Sequence, residues 1–410
     1  MGNTTPVSED FADRRTLSAS SCGSRQAFLL AMEGGDIRAR TPSVKEAAWP
    51  GRLALGVIRP IVATHIADVP DYTPHMMSSR LRLDRYDALP GALARTPVRD
   101  IRTLFPNPAL ISLKGRRPDP LFLSLLLHGN ETVGYAVLQR LHLWMGRHLL
   151  PRSLVIFVGN VKAAEAGTRM IDGEPDYNRL WQGGTGDEFD MAQEVLAEVR
   201  AAKPFAAIDL HNNTGANPLY GLMHNERAAD RQLASLFSHV AMLSATPPSM
   251  LSLALSALCP AITAECGHSG VEANEDRAFD FVQDVLKLDH WRGQPDRELD
   301  VFEVIGRMEL DRGASIAFEH GKTADIELPM TLEKWNFFER EAGATFARLP
   351  NGASPLKVVT ETGANVTDSV FERVDDRLVL TRALAPAMLT TNEKAIRDDC
   401  LGYIMEKRSV

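Results

Sequence analysis

The sequence predicts an α/β fold with a mostly parallel or mixed sheet flanked by helices, followed by a smaller, mainly β C-terminal domain. Between residues 110 and 288, short apolar runs typical of buried strands alternate with segments of helical period. Such alternation implies a mostly parallel sheet covered by helices on both faces. After about residue 295, short strand-like segments are separated by Gly, Pro and Asp, and these predict the smaller domain.

Each predicted element is based on the period of its apolar residues. The predicted strands of the first part are Leu110–Lys114, Leu121–Leu127, Ser153–Val158, Ala206–Leu210 and Ala261–Glu265. The predicted helices are Glu131–Arg147, Asp190–Ala202, Ala228–Val240 and Glu272–Leu288. The predicted strands of the C-terminal part are Val301–Arg307, Ser315–Phe318, Pro355–Thr360 and Arg377–Leu380. The run Leu121–Leu127 is almost entirely apolar, as expected for a strand that is buried on both faces.

Residues 1–76 differ from the rest of the chain in composition. They are rich in Ser, Thr, Ala, Arg and Pro and contain only short apolar pieces. We interpret them as an N-terminal extension that is either disordered or a small ordered subdomain. Met76 and Met77 directly precede the first well-patterned segment, so the true start could lie there. The expected division is the extension over 1–76, the large α/β domain over 77–295 and the smaller domain over 296–410.

The composition indicates a globular protein without a nucleic-acid partner. Among 410 residues, 44% are hydrophobic and 24% charged, and the net charge is -8. An acidic surface disfavours nucleic acid and anionic membranes. No apolar run approaches the roughly 18 residues of a membrane helix, so we expect no membrane association. The four cysteines have neither zinc-finger nor redox spacing, which favours a reducing cytoplasm. A homo-oligomer is compatible with the sequence.

Polar residues follow the buried run Leu121–Leu127 abruptly, in the order HGNE. His128 and Glu131 are three residues apart, at the carboxyl end of a predicted strand, where open α/β sheets place their ligands. An imidazole and a carboxylate at this spacing can aim their lone pairs at one point, as a zinc site requires. Alone, the pair is also compatible with a structural histidine beside a helix-capping acid.

A second polar group follows the predicted strand Ala206–Leu210. His211 lies at this strand end, and Asp209 lies on the same side of the strand because side chains alternate. His128, Glu131 and His211 together make the two-histidine, one-carboxylate set that leaves catalytic zinc an open position. Asp209 could orient one of the rings as an outer hydrogen-bond acceptor.

A third strand end carries Glu265. A buried glutamate is costly without a partner, so a polar site is the better reason for it. Beside a metal-bound water it has the chemistry of a general base. The adjacent Cys266 raises the alternative of a closed structural zinc with a thiolate ligand. Neighbouring residues of a strand point to opposite faces, however, which disfavours a joint role of the two.

The loop after Ser153–Val158 contains three further candidates. Arg169 lies far enough along to reach the sheet edge, and Asn178 and Arg179 form an adjacent amide and guanidinium. Arginine suits a developing oxyanion or a substrate carboxylate.

These motifs resemble, in their order along the chain, the succinylglutamate desuccinylase/aspartoacylase family of the zinc carboxypeptidase superfamily. The resemblance rests on HGNE at 128–131, on the TR and NR pairs that end at Arg169 and Arg179, on DLH ending at His211 and on Glu265. It covers roughly Arg80–Lys407. It implies a carboxypeptidase-like α/β catalytic domain followed by a small β domain.

The resemblance also implies a role for each candidate residue. His128, Glu131 and His211 would bind one zinc ion per chain, and Glu265 would be the acid/base. Arg169 would polarise the scissile carbonyl, while Asn178 and Arg179 would hold a substrate carboxylate. Aspartoacylases contribute a tyrosine hydroxyl from the C-terminal domain, and the similar stretch here has Phe337 and Phe338 instead. We therefore expect an apolar wall at that place and poor activity on N-acetylaspartate.

The sequence thus predicts a zinc-dependent hydrolase of a small N-acylated, carboxylate-bearing amino acid, with N-succinylglutamate as the favoured substrate type. The alternatives within enzymes are a zinc carboxypeptidase acting on short peptides and a deacylase of another small metabolite. Outside enzymes, the alternative is a structural or regulatory metal-binding protein.

Overall fold

The computed structural model describes residues 81–318 and 324–408. The prediction of an extension over residues 1–76 lies outside the described residues. Among the described helices, none is long and apolar enough to span a membrane.

Among the described residues, strands form where the sequence predicted them and also at several further places. The strands are β1 (Asp84–Tyr86), β2 (Ala109–Leu113), β3 (Arg117–Leu125), β4 (Arg152–Val158), β5 (Ala206–His211), β6 (Tyr220–Met223), β7 (Val240–Leu243), β8 (Ala261–Glu265), β9 (Asp300–Leu310), β10 (Ile316–Ala317), β11 (Ile326–Glu327), β12 (Thr345–Arg348), β13 (Leu356–Val359), β14 (Phe371–Val374), β15 (Arg377–Leu380), β16 (Ala385–Ala387) and β17 (Gly402–Lys407). The helices are α1 (Val133–Met145), α2 (Val161–Ala166), α3 (Asp187–Ala202), α4 (Ala228–Phe237), α5 (Leu251–Ser256), α6 (Glu272–Lys287), α7 (Thr367–Val370) and α8 (Glu393–Asp398).

Twelve of the described strands form one mixed sheet. Its order is β1-β2-β4-β3-β5-β8-β6-β7-β9-β17-β16, and β13 also pairs with β9. The central neighbours β4, β3, β5 and β8 are parallel, whereas β6 is antiparallel to β8. The predicted α/β fold with a mostly parallel or mixed sheet is therefore confirmed.

Helices cover both faces of this sheet, as alternating side chains of β3 demonstrate. Leu121, Leu123 and Leu125 face an apolar cluster that includes α1, α4 and α6. Phe122 faces a second cluster that includes α3 and α5. All four side chains are fully buried, and each stabilises the fold by about 1.5–3 kcal/mol through removal from water.

The C-terminal part contributes to two sheets. A separate five-stranded sheet has the order β10-β11-β12-β15-β14 and its own apolar cluster, as the prediction of a smaller β unit required. Four other strands of this part, β9, β13, β16 and β17, extend the main sheet. The boundary at residues 295/296 therefore stays a prediction, because the main sheet continues across it.

Five strands of the main sheet had no prediction: β1, β6, β7, β16 and β17. The predicted helix Ala228–Val240 ends earlier, at Phe237, and its last predicted residue begins β7. Strands β6 and β7 have only four residues each, so neither provides enough sequence for a clear period of two.

Candidate functional site

The predicted metal ligands and Glu265 lie at the carboxyl ends of three neighbouring parallel strands. His128 follows β3, His211 is the last residue of β5, and Glu265 is the last residue of β8. His211 and Glu265 are direct partners in the register between β5 and β8. The sheet order thus brings together residues that are 137 positions apart in the chain, from 128 to 265.

The turn that carries His128 and Glu131 is longer than predicted. Strand β3 ends at Leu125 rather than Leu127, because Leu126 has a positive φ of 58° that no strand accommodates. The backbone N–H of Glu131 donates to the carbonyl of His128, which closes a turn before α1 begins at Val133. Glu131 therefore precedes the helix instead of forming its first residue.

The three predicted ligands form one buried cluster. Nδ1 of His128 lies 2.8 Å from Oε1 of Glu131, and Nδ1 of His211 lies 2.7 Å from Oε2 of the same carboxylate. One possible ligand atom from each of the three lies within 4.8 Å of the others. All three residues are at most 8% exposed, so water does not compensate for their polarity.

Each histidine has a second carboxylate on its other nitrogen. Nε2 of His211 lies 3.0 Å from Oδ2 of Asp209, the residue predicted for this role. Nε2 of His128 lies 3.0 Å from Oδ1 of Asp176, which the sequence analysis did not single out. Each Nε2–H donates to its outer carboxylate, so Nδ1 of both rings and the carboxylate of Glu131 are the groups that would bind a divalent metal such as zinc.

The charges of this cluster shift its pKa values strongly. Burial alone would raise the pKa of Glu131, but His128 and His211 outweigh it and hold that pKa well below its usual range. Burial alone would lower the pKa of His211, but Asp209 and Glu131 outweigh it and raise that pKa well above its usual value. Glu131 is therefore ionised, as a metal ligand must be.

Two neighbours hold Glu131 in place. The backbone N–H of Asn212 donates to Oε2 of Glu131 at 3.1 Å, and the side-chain Oδ1 of Asn212 accepts from the first N–H of α1 at 3.0 Å. Gly129 allows the turn to approach α2, because a Cβ atom at this position would lie 2.1 Å from the backbone carbon of Ala163. Any other residue at 129 would push the turn away from the sheet edge.

Glu265 lies beside the cluster without belonging to it. Burial raises the pKa of Glu265 to about 7, although the charge of His211 opposes this effect. The amide of Asn213 donates to Oε2 of Glu265 at 3.4 Å. Cys266, the alternative thiolate ligand, is outside the cluster of possible ligands, and burial raises its pKa well above the usual range. The geometry therefore disfavours a closed site with a thiolate ligand.

Arg169 reaches the site as predicted. Its Nη1 lies 3.8 Å from Oε1 of Glu131, and its Nη2 donates to Oδ2 of Asp176 at 3.1 Å. Burial would lower the pKa of Arg169, but Asp176, Glu131 and Asp399 outweigh burial and raise that pKa. The guanidinium is thus a fixed positive charge at the edge of the cluster.

Asn178 and Arg179 lie in a short 3-10 turn that Asp176 caps. Oδ1 of Asp176 accepts from the backbone N–H of Asn178 at 2.7 Å, so Asp176 connects this pair to His128 and Arg169. Oδ1 of Asn178 accepts from the first N–H of α5 at 3.2 Å. The side-chain amide N–H groups of Asn178 therefore remain available for a ligand.

All seven predicted site residues line one small inner cavity of about 90 Å³. The lining residues not singled out from the sequence include Asn212, Thr214, Leu222, Met242, Thr246, Pro247, Met250, Met388, Asp399 and Tyr403. A wider outer cavity of about 740 Å³ is lined mainly by polar residues. The two cavities share Glu131, Arg169, Asn212, Asn213, Thr214 and Asp399.

The expectation for Phe337 and Phe338 is wrong. They line a different surface cavity: the Phe337 ring packs on the ring of Tyr220 at 4.6 Å, and Phe338 is 61% exposed. A tyrosine from the C-terminal part, Tyr403 of β17, lines the inner cavity instead. Burial raises the pKa of Tyr403 well above its usual range, and Cys400 and Asp399 act in the same direction. Its hydroxyl is therefore protonated and can donate to a ligand.

Among the residues that the sequence analysis missed, only Asp176 had a local signal. It lies two positions before Asn178, in the same loop as the predicted residues Arg169, Asn178 and Arg179, and a carboxylate there is a possible partner for a ligand histidine. Asp399 and Tyr403 reach the site because β17 pairs with β9 in the main sheet. No sequence motif near Asp399 or Tyr403 predicts that pairing.

The fold and the site together define an α/β protein with a buried two-histidine, one-glutamate centre at the carboxyl edge of its sheet. Residues 121–278 match the model of the Succinylglutamate desuccinylase/Aspartoacylase catalytic domain family. Over these residues the chain is therefore similar to a family of deacylating hydrolases, and the resemblance seen in the motifs is confirmed.

Several solved structures are similar to this chain. Succinylglutamate desuccinylase from Chromobacterium violaceum has 16% identity and a TM-score of 0.48, with 72% of this chain and 86% of that chain covered. Murine aminoacylase 3 has 16% identity and a TM-score of 0.49, with 72% and 98% covered. The ectoine utilization protein EutE (DoeB) from Ruegeria pomeroyi has 17% identity and a TM-score of 0.46, with 68% and 82% covered. A comparison with curated proteins finds no match.

Proposed function

We propose that this protein is a zinc-dependent hydrolase that cleaves the amide bond of a small N-acylated amino acid. The observation that carries this proposal is the cluster of His128, Glu131 and His211, with each ring oriented by a second carboxylate. Two histidines and one carboxylate are the ligand set of open catalytic zinc sites, whereas closed structural sites use four protein ligands. The family whose model residues 121–278 match supports the same reaction class.

Glu265 is the proposed general base and acid. A zinc ion bound by the cluster would polarise the amide carbonyl and lower the pKa of a bound water. Glu265 takes a proton from the attacking water and donates it to the leaving nitrogen. Its raised pKa of about 7 suits both transfers, because the group can hold or release a proton near neutral pH.

The arginines and Asn178 bind and orient the substrate in this proposal. Arg169 lies beside Glu131 and stabilises the negative charge that develops on the carbonyl oxygen. Arg179 and the free amide N–H groups of Asn178 bind the carboxylate of the amino acid. This pairing fixes the amide bond between the metal ligands and Glu265, and it makes a neutral amide a poor substrate.

The small volume of the inner cavity favours a single amino acid over a peptide. A carboxypeptidase acting on short peptides remains the alternative enzyme, with the preceding residues of the peptide in the outer cavity. A structural or regulatory metal-binding role is the alternative outside enzymes, and an ionisable buried group such as Glu265 beside the cluster argues against it.

The test uses the purified chain with its metal content measured. We expect about one zinc per chain and release of free amino acid from N-acyl amino acids, with loss of activity on chelation and recovery on addition of zinc. Full activity of the metal-free protein would contradict the zinc mechanism. Release of C-terminal residues from dipeptides at a higher rate would favour the carboxypeptidase alternative.

A further inference from the structure

Part of the wall of the inner cavity is apolar. It consists of Leu222 on β6, Met242 on β7, Met250 directly before α5 and Met388 after β16. These side chains belong to one apolar cluster beneath the cavity. An apolar group placed against them gains free energy from burial, while a charged group there would lose its water without gaining a partner. Methionine side chains also adapt their shape to what they contact.

The inner cavity offers one guanidinium for a substrate carboxylate. Arg169 is hydrogen-bonded to Asp176 at 3.1 Å. Arg179 is held less tightly: its Nη1 donates to the backbone carbonyl of Asn178 at 3.0 Å, and its ion pair with Asp399 is longer, 3.6 Å from Nη2. Once Arg179 binds the carboxylate of the amino acid, a second carboxylate in this cavity would face Asp399 and Glu265. Acidic side chains are therefore opposed by both the charges and the apolar wall.

Asp399 does not make the cavity selective for a basic side chain. Its carboxylate is within 4 Å of three guanidinium groups, those of Arg169 (3.9 Å), Arg179 (3.6 Å) and Arg307 (3.8 Å). These positive charges surround the carboxylate and repel a cationic side chain that approaches it.

The two cavities indicate how the substrate is oriented. Glu131 and Arg169 line both cavities, so the scissile bond belongs at their boundary. Arg179 lines only the inner cavity, which places the amino acid there. The acyl group then points into the outer cavity, where Asp172, His268 and Lys394 provide a polar lining.

We propose that the amino acid released by this enzyme has an apolar side chain, of the size of methionine or leucine. Resting on the proposed function, this inference names the substrate class: N-acyl derivatives of apolar amino acids. The wall of Leu222, Met242, Met250 and Met388 selects the side chain. This class differs from N-succinylglutamate, which the sequence favoured, since its glutamate side chain would be the unmatched second carboxylate.

The first test compares four substrates that share the acetyl group: N-acetylmethionine, N-acetylglycine, N-acetylglutamate and N-acetyllysine. For the zinc-loaded protein we expect kcat/KM on N-acetylmethionine to exceed that on N-acetylglycine by about tenfold or more, the effect of a few buried methylenes. N-acetylglutamate and N-acetyllysine should fall below N-acetylglycine. Equal or higher rates on either charged substrate, or no gain over glycine, would overturn this inference alone. Hydrolysis of none of the four, and of none of their N-succinyl counterparts, would overturn the proposed function itself.

The second test changes the wall. Met250→Gln has nearly the same size but adds a polar amide, and it should lower the ratio of kcat/KM on N-acetylmethionine to that on N-acetylglycine by about tenfold. The ratio within one preparation does not depend on the folded fraction. Met405→Gln is the matched control, because Met405 is buried in the same apolar cluster but does not line the cavity. Met250→Ala enlarges the cavity and should shift the preference toward N-acetylphenylalanine. An unchanged preference in both Met250 variants would contradict the assigned wall.

Discussion

The two sides of the inner cavity are built in different ways. The metal side comes from three neighbouring strand ends, and each end has an abrupt change from apolar to polar residues. The other side comes from β6, β7, Met250 before α5 and residues 388–403, which contribute ordinary apolar residues, one tyrosine and one aspartate. The proposed catalytic groups are thus rare residue types in strict geometry, whereas the proposed selective wall consists of common residues that the tertiary fold brings together.

The largest expected effect is on the metal side. His211→Ala removes one of three ligands and leaves Glu131 beside an incomplete set, so both the bound zinc and the activity should be lost. We expect kcat/KM to fall by more than about a thousandfold, since the metal supplies several kcal/mol of transition-state stabilisation. Metal analysis and kinetics on the same preparation would check this. His239→Ala, at an exposed position, is the control and should keep both. Full activity of His211→Ala would show that His211 is not a required metal ligand, and the assignment of the metal side would be wrong.

Replacement of Glu265 separates chemistry from metal binding on this same side. Glu265→Gln should retain nearly stoichiometric zinc and lower kcat by about a hundredfold or more, the usual scale for loss of a general base. Zinc content and kcat are the measurements. If the variant loses its zinc, Glu265 is a ligand and the assignment of roles among the strand ends is wrong.

Arg179 lies where the two sides meet. Arg179→Ala should lower kcat/KM on a carboxylated substrate by about a hundredfold, because a paired carboxylate loses several kcal/mol when its partner is removed. The effect on the methyl ester of the same substrate should be much smaller, so that the preference for the acid narrows. Arg307→Ala is the matched control, since Arg307 also lies within 4 Å of Asp399 but does not line the cavity. Equal losses on acid and ester would show that Arg179 does not bind the carboxylate.

The same division explains what the sequence could predict. The α/β class, the central strands and all seven candidate residues followed from local patterns, because a buried parallel strand and the polar residues at its end are adjacent in sequence. Short strands such as β6 and β7 left no period to recognise. Tyr403 and Asp399 could not be found locally, since their place depends on the pairing of β17 with β9. The wrong expectation for Phe337 came from the same cause: sequence position alone did not tell which part of the C-terminal segment reaches the cavity.

Asp176 belongs to the metal side, through His128, but it also accepts from the backbone of the turn that carries Asn178. Asp176→Asn should weaken zinc affinity by about 10- to 100-fold, as is usual when the carboxylate behind a ligand histidine is lost. It should also raise KM, because an amide nitrogen replaces the oxygen that accepts from Arg169 at 3.1 Å, so the guanidinium proposed to contact the substrate loses its ion pair. Asp209→Asn is the matched variant on the other ring and should weaken zinc affinity with little change in KM. An identical change of KM in both variants would contradict the proposed link through Asp176.

The smallest effect concerns the stability of the selective wall, which depends on His224. Its Nδ1–H donates to the carbonyl of Ser244 at 2.6 Å, and its Nε2 accepts from the hydroxyl of Ser252 at 2.7 Å. The ring thereby joins the segments after β6 and β7 to α5, the elements that carry Leu222, Met242 and Met250. Burial lowers the pKa of His224 to about 4, so the ring stays neutral in the folded protein.

Between pH 6.5 and 4 the unfolded chain therefore binds a proton at His224 that the folded chain does not bind, and stability must fall as the pH falls. From pH 7 to pH 5 the loss from this one group is about 2 kcal/mol, at 1.36 kcal/mol per pKa unit. Urea unfolding at the two pH values should show that His224→Gln is less stable than the unmodified protein at pH 7 but loses about 2 kcal/mol less on acidification. His239→Gln, at an exposed position, should keep the pH dependence of the unmodified protein. If His224→Gln also kept that dependence, protonation of the His224 ring would not be the cause of the loss of stability at low pH.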